Sequence, residues 1–141
     1  MPGPKYSFDV NGPSNWWSEN YHYAQSVTLP VGPIVKCAGQ GGWDGNRFID
    51  TTNPAKQVRC AMENVDRVVR EAGLRGWEDV FLVRSYHTDP MESLPALLEE
   101  INRRIPEHRP IWTAIGVKTL AGPEMVIEIE VEAARHDGQG D

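Results

Sequence analysis

Apolar and polar positions along this chain fall into a few regular stretches separated by breaks rich in glycine and proline. The clearest stretch is helical: Val58, Ala61, Met62, Val65, Val68, Val69 and Ala72 recur at steps of three and four residues, which places them on one face of an α-helix. Asn53 is positioned to cap it, Pro54 suits its first turn, and Gly73 stops it. A second stripe, Leu94, Leu97, Leu98, Ile101 and Ile105, predicts another one-sided helix that ends before Pro106. Asp79 to Asp89 reads as a strand between the two helices, and Ile111 to Lys118 and Met125 to Ala133 read as two more, joined by a turn containing Gly122 and Pro123. In the last strand Met125, Ile127, Ile129, Val131 and Ala133 alternate with Glu128, Glu130 and Glu132, the period of two that sends them to opposite faces. Ile34 to Gly39 is shorter and ends in glycine, as expected of a buried strand feeding the loop GQGGWDGN.

This order predicts an α+β fold with a mixed sheet and both helices on one face. At 141 residues the chain has the length of one domain, and such a domain buries roughly 70 % of its unfolded surface. Residues 1–22 are rich in Pro, Gly, Asn and Ser yet carry Tyr6, Phe8, Trp16, Trp17 and Tyr21. That much aromatic surface predicts an irregular strap lying against the body or a neighbouring subunit. Residues 23–134 form the domain proper and 135–141 a polar, frayed tail. The sheet face away from the helices is expected to carry Trp112, Ala114 and Gly116 together with the three carboxylates, a mixture that calls for partial cover. Association of copies around an axis would cover the apolar part and leave small-molecule crevices at the seams.

Charge and composition narrow the function. Lys and Arg total 14 against 20 Asp and Glu, for a net charge of −6, so the field repels phosphate backbones and weighs against nucleic acid as a partner. The first residues have Pro, Lys and Asp where a secretory leader needs an apolar run, and nowhere is there a run of about 20 apolar residues; the expectation is a cytoplasmic protein without a membrane partner. Cys37 and Cys60 lack the spacing of a zinc site or redox dithiol and are read as buried free thiols. His22, His87, His108 and His136 do not share a helix face as ligands would. Neither a metal nor a cofactor is expected.

The candidate chemistry is sparse. The loop from Gly39 to Gly45 lacks the ending of a P-loop and does not enter a helix directly, so it reads either as a backbone-rich rim that a ligand can approach closely or as a plain turn. Glu130 and Glu132 read as a solvated face near cations such as Lys36, Arg84 and Lys118, whereas Glu128, deepest in its strand, suits a hydrogen-bond acceptor or water-orienting base. No Gly-x-Ser-x-Gly elbow or other nucleophile pattern is present. Arg103, Arg104, His108 and Arg109 cluster where they complement the dipole at the end of the second helix.

The ordered segments resemble the Rid family, also called YjgF or L-PSP. The matching pieces are Tyr23-Ala24-Gln25, Ala38-Gly39-Gln40, the helix Gln57 to Gly73 with Asn64-Val65, Tyr86 and Thr88-Asp89, Arg109-Pro110 through Leu120, and Ile127-Glu128-Ile129-Glu130. The resemblance implies a chorismate-mutase-like subunit, a homotrimer and three clefts between subunits. Enzymatic members hydrolyse 2-imino or enamine acids to 2-keto acids and ammonia, with an arginine clamping the carboxylate and a glutamate positioning water. Carried over, Tyr23 lines the cleft, Gly39 and Gln40 contribute ligand contacts, and Glu128 is the catalytic carboxylate. The arginine position reads Trp112, in Pro110-Ile111-Trp112-Thr113. A planar charged fork is thereby replaced by an indole with one N–H and a broad apolar face. Three functions follow from the likeness: an imine or enamine hydrolase, a non-catalytic ligand-binding or chaperone-like trimer, and, from the family's older name, an endoribonuclease that inhibits translation. The acidic charge ranks the last one lowest.

Overall fold

The computed structural model describes residues 3–30 and 32–135; the tail from His136 onward, expected to fray, lies outside the described residues. In chain order the elements are β1 (Lys5–Ser7), α1 (Asn15–Tyr21), β2 (Ser26–Thr28), β3 (Val35–Lys36), β4 (Gln40–Gly41) and α2 (Pro54–Glu71). A 3-10 turn (Trp77–Asp79), β5 (Val80–His87), α3 (Pro90–Arg104), β6 (Ile111–Gly116) and β7 (Ile127–Ala133) complete it. The main sheet runs β3-β7-β5-β6, with β4 also on β7; β5 and β6 are parallel and the other pairs antiparallel. This is the mixed α+β architecture expected.

The two long helices form where the periodicity put them. Asn53 caps α2 by accepting the Lys56 amide at 3.0 Å, and Val58, Ala61, Met62, Val65 and Val69 are fully buried. Leu97, Ile101 and Ile105 of the α3 stripe join them, while Leu94 and Leu98 stay half-buried on its flank. Against both helices stand Val83 of β5 and Ile127, Ile129, Val131 and Ala133 of β7. Burial of this kind is worth roughly 1.5–3 kcal/mol per large side chain and is what holds helices to sheet.

Three expectations need correction. Residues 1–22 are not an irregular strap throughout: Lys5–Ser7 pairs antiparallel with Ser26–Thr28, and Asn15–Tyr21 is a helix, so the protein has three helices among the described residues. Pattern reasoning misses α1 because a helix of 7 residues is too short to show a period, and it persists through tertiary contacts. The strand read from Ile34 to Gly39 is divided. Val35 and Lys36 pair with Ala133 and Glu132, but Gln40 and Gly41 pair with Ile129 and Glu128, one residue out of register, as at a bulge.

The third correction concerns the sheet faces. Trp112 is opposite Val83, and Ala114 opposite Ser85, while Val83 and Ser85 are opposite Val131 and Ile129. Paired residues share a face, so Trp112 and Ala114 lie on the helix side, and Glu128, Glu130 and Glu132 lie on the other. The open face holds Leu82, Arg84 and Tyr86, the carboxylates, and Ile111, Thr113 and Ile115. A parallel neighbour cannot be phased from sequence: alternation says which residues of β6 share a side, but only the β5 register says which side.

Candidate ligand hollow

The start of the chain is pinned to the start of β6. The Ala24 amide donates to the Pro110 carbonyl at 2.9 Å, and Ala24 forms an isolated parallel bridge to Ile111. Arg109 is the fastener: its guanidinium sits 4.1 Å over the Phe8 ring, donates to the Ser18 carbonyl at 3.2 Å, and faces the Glu19 carboxylate at 3.5 Å. His22, in a left-handed conformation at the end of α1 (φ 53°), places its ring nitrogen against the Ile105 and His108 carbonyls. Arg109 thus ties down the aromatic segment instead of serving the end of α3, where Arg103 reaches Glu100 at 2.6 Å.

Between α1, α3 and β6 this leaves a hollow of about 300 Å³ lined by Trp17, Tyr21, Tyr23, Leu94, Trp112 and Ala114. Tyr23 meets Trp112 edge-to-face, with centroids 6.2 Å apart and planes at 86°, the geometry that aromatic quadrupoles favour. Trp17 stacks on Tyr21 at 5.8 Å. The structure therefore brings together two of the candidate residues, Tyr23 and Trp112.

Behind Trp112 lies a polar set not singled out in the sequence. Trp112 Nε1 donates to Ser85 Oγ at 2.9 Å, Ser85 Oγ is 2.7 Å from His87 Nε2, and His87 Nδ1 is 2.6 Å from Ser93 Oγ. Burial pushes the His87 pKa from 6.5 down to about 4, so the ring is neutral near pH 7. The signal was present in the sequence, since Ser85 and His87 keep step with buried Val83 on a strand that has α3 on that side.

Glu128 and Gly39 lie on the other face, whereas Gln40, paired with core Ile129, is on the helix side. Glu128 is opposite Tyr86 and Gly41 and lies against Gly39, where an added β-carbon would collide with the carboxylate. Among the described residues the Glu128 carboxylate has no hydrogen-bond or ion-pair partner. Glu130 accepts a hydrogen bond from the Tyr86 hydroxyl at 2.7 Å, an interaction that, foremost among its causes, raises the Tyr86 pKa. Glu132 lies 3.8 Å from Arg84, one of the cations anticipated. Gln40 donates to the Ala38 carbonyl at 3.2 Å. Further along the loop, Asn64 of α2 donates to the Gly41 and Trp43 carbonyls at 2.8 and 2.9 Å, and Gly42 has no room for a β-carbon beside the Gln57 backbone. The loop is thus fastened to α2 beyond its Gly39 end. Of the two cysteines, Cys37 is buried as expected but Cys60 only partly so.

Within the chain, then, the Tyr23–Trp112 hollow and the Glu128–Gly39 group occupy opposite sides of the sheet. The family model described as endoribonuclease L-PSP matches residues 18–135, which is nearly all of this framework. The chain belongs to that family, the Rid, YjgF or L-PSP proteins. The RutC family protein YjgH of Escherichia coli K12 is 33% identical over 109 residues, 74% of this chain and 79% of its own length. Among solved structures, the Rid-family protein YyfB from Yersinia pestis, described as of unknown function, superposes with a TM-score of 0.81 at 26% identity, covering 94% of this chain and 99% of that one. RidA from an Antarctic Psychrobacter species gives 0.65 at 26%, covering 79% and 86%. These similarities identify the L-PSP fold and its likeness to Rid proteins. No helix among the described residues is long and apolar enough to cross a membrane.

Proposed function

We propose that this Rid-family chain works as a homotrimer whose subunit junctions enclose small-molecule clefts, and that these clefts hydrolyse imines or enamines recognised without a carboxylate. The observation that carries the reading is the separation across the sheet. Tyr23 and Trp112 wall a hollow on the helix side, while Glu128 stands on the open side without a hydrogen-bond partner among the described residues. A second copy applied to the sheet edge supplies the carboxylate that a lone protomer keeps away from its own hollow, and covers the open face around Ile111 and Ile115.

In this reading Glu128 takes a proton from a water molecule as the water oxygen attacks the C=N carbon; the nitrogen collects protons and leaves as ammonia or an amine, and a carbonyl remains. Gly39 gives the carboxylate the space that a β-carbon would fill. Trp112 cannot replace a guanidinium clamp, whose hydrogen bonds to an ionised group are worth about 1.5–3 kcal/mol each. Imines of uncharged amines are therefore the better substrates and 2-imino acids the poorer.

The test compares imines generated in situ by an amine oxidase with those from an amino-acid oxidase, following carbonyl product and ammonia, alongside sedimentation of the purified protein. A trimer is expected, with faster hydrolysis of the uncharged imine and a loss of about 10²-fold or more in Glu128→Gln. A stable lone protomer, or no acceleration of either imine, refutes the proposal. The second reading, a ligand-binding trimer without turnover, is favoured by one observation: the Trp112 N–H is already committed to Ser85. Saturable binding without product would select it.

A further inference from the structure

The Trp112 indole is held by a hydrogen-bond chain that satisfies every buried hydroxyl proton in one direction. An indole N–H donates and never accepts, and a backbone carbonyl accepts and never donates. Between these two ends stand Ser85, His87 and Ser93, each 0% exposed. Ser93 gives its hydroxyl proton to the Asp89 carbonyl at 3.1 Å, so its other contact, 2.6 Å from His87 Nδ1, is one in which the ring donates. That assigns the neutral Nδ1–H tautomer and leaves Nε2 to accept the Ser85 hydroxyl at 2.7 Å. Ser85 Oγ, its proton thus committed, accepts the Trp112 N–H at 2.9 Å. Reversing the two His87 links would instead leave the buried Ser85 hydroxyl proton without an acceptor along this chain.

We infer that Ser85 and His87 are positioning residues that set the ligand class of the hollow: by occupying the one polar atom of Trp112 they leave only carbon edge and face toward the ligand, so that the hollow takes flat, uncharged rings and rejects carboxylates. The inference rests on the hollow being the ligand site. The rest of the lining is of the same kind: Leu94 and Ala114 are apolar, and Trp17, Tyr21 and Tyr23 offer ring faces and phenol groups, with no cationic side chain among them. Arg109 is already committed to Ser18, Glu19 and Phe8. An entering carboxylate would lose hydration without gaining a charged partner.

Indole and indole-3-acetate, which differ by the carboxymethyl group, are the probes, titrated calorimetrically into the wild-type protein, Ser85→Ala and Trp112→Phe. The wild type is expected to prefer indole by about tenfold or more, the factor that one missing charge-assisted bond represents. Ser85→Ala frees the indole N–H to turn toward the ligand. It should tighten indole-3-acetate by about fivefold to tenfold while changing indole less than about threefold; a purely structural role would weaken both alike. Trp112→Phe, which has no N–H to release, should not gain affinity for the acid. Indole bound with an unchanged preference in Ser85→Ala overturns the positioning role. Failure of every variant and the wild type to bind either probe overturns the reading of the hollow itself. A second measurement needs only folded wild-type protein: the indole N–H resonance that Trp112→Phe removes should exchange with D2O more slowly than those of Trp16 and Trp17, which are 57% and 51% exposed. Equally fast exchange refutes the chain.

Discussion

Mild acid should cost this protein stability through His87. Burial pushes the ring from 6.5 to about 4 in the folded state, and both ring nitrogens are occupied by serine hydroxyls. The unfolded chain binds a proton on His87 below pH 6.5, whereas the folded chain refuses it until about pH 4. Stability is therefore complete above 6.5, falls as the pH drops through this window, and levels off below 4. The full shift corresponds to about 3 kcal/mol, of which about 2 kcal/mol is lost between pH 7 and pH 5. Against a total of about 5–15 kcal/mol for a domain, this is a large share. Asp44 and Asp50 have lowered pKa values, through backbone amides and the Thr52 hydroxyl respectively, and their contribution is lost only at more acid pH. Urea unfolding at pH 7, 6 and 5, at one protein concentration, compares the wild type with His87→Gln. The variant should be weaker at pH 7 but lose about 2 kcal/mol less on going to pH 5. Parallel pH dependences in the two proteins would refute the assignment of a neutral, proton-resistant His87.

Other substitutions separate packing from the candidate chemistry. Gly42→Ala drives a β-carbon into the Gln57 backbone and should cost about 1–3 kcal/mol in chemical denaturation. Gly39→Ala instead displaces a flexible carboxylate; its thermal midpoint should stay near that of the wild type while any Glu128-dependent hydrolysis collapses. Asn53→Ala removes the acceptor for the Lys56 amide and should lower stability by about 1 kcal/mol in the same urea titration. Arg109→Ala removes the contacts to Phe8, Ser18 and Glu19, so limited proteolysis should cut the first 22 residues sooner than in the wild type.

The sequence by itself determined the two long helices, the strands β5, β6 and β7 and the inward side of β7, because each rests on a period that neighbouring residues enforce. The Asn53 cap, the Pro54 start and the alternation of Ile127, Ile129 and Val131 with three glutamates are local facts, and they survive folding unchanged. The family likeness was legible for the same reason, since its pieces are short segments in a set order. Only the tertiary structure decided the rest. The short helix Asn15–Tyr21 exists because its aromatic residues are held near β6 and α3, not because seven residues favour a helix. The face on which Trp112 lies depends on parallel pairing with Val83, a long-range register that no alternation within β6 reveals. The chain from Trp112 to Asp89 joins residues whose hydrogen bonds become necessary only once water has been excluded from them, and that exclusion is a property of the folded assembly of β5, β6 and α3.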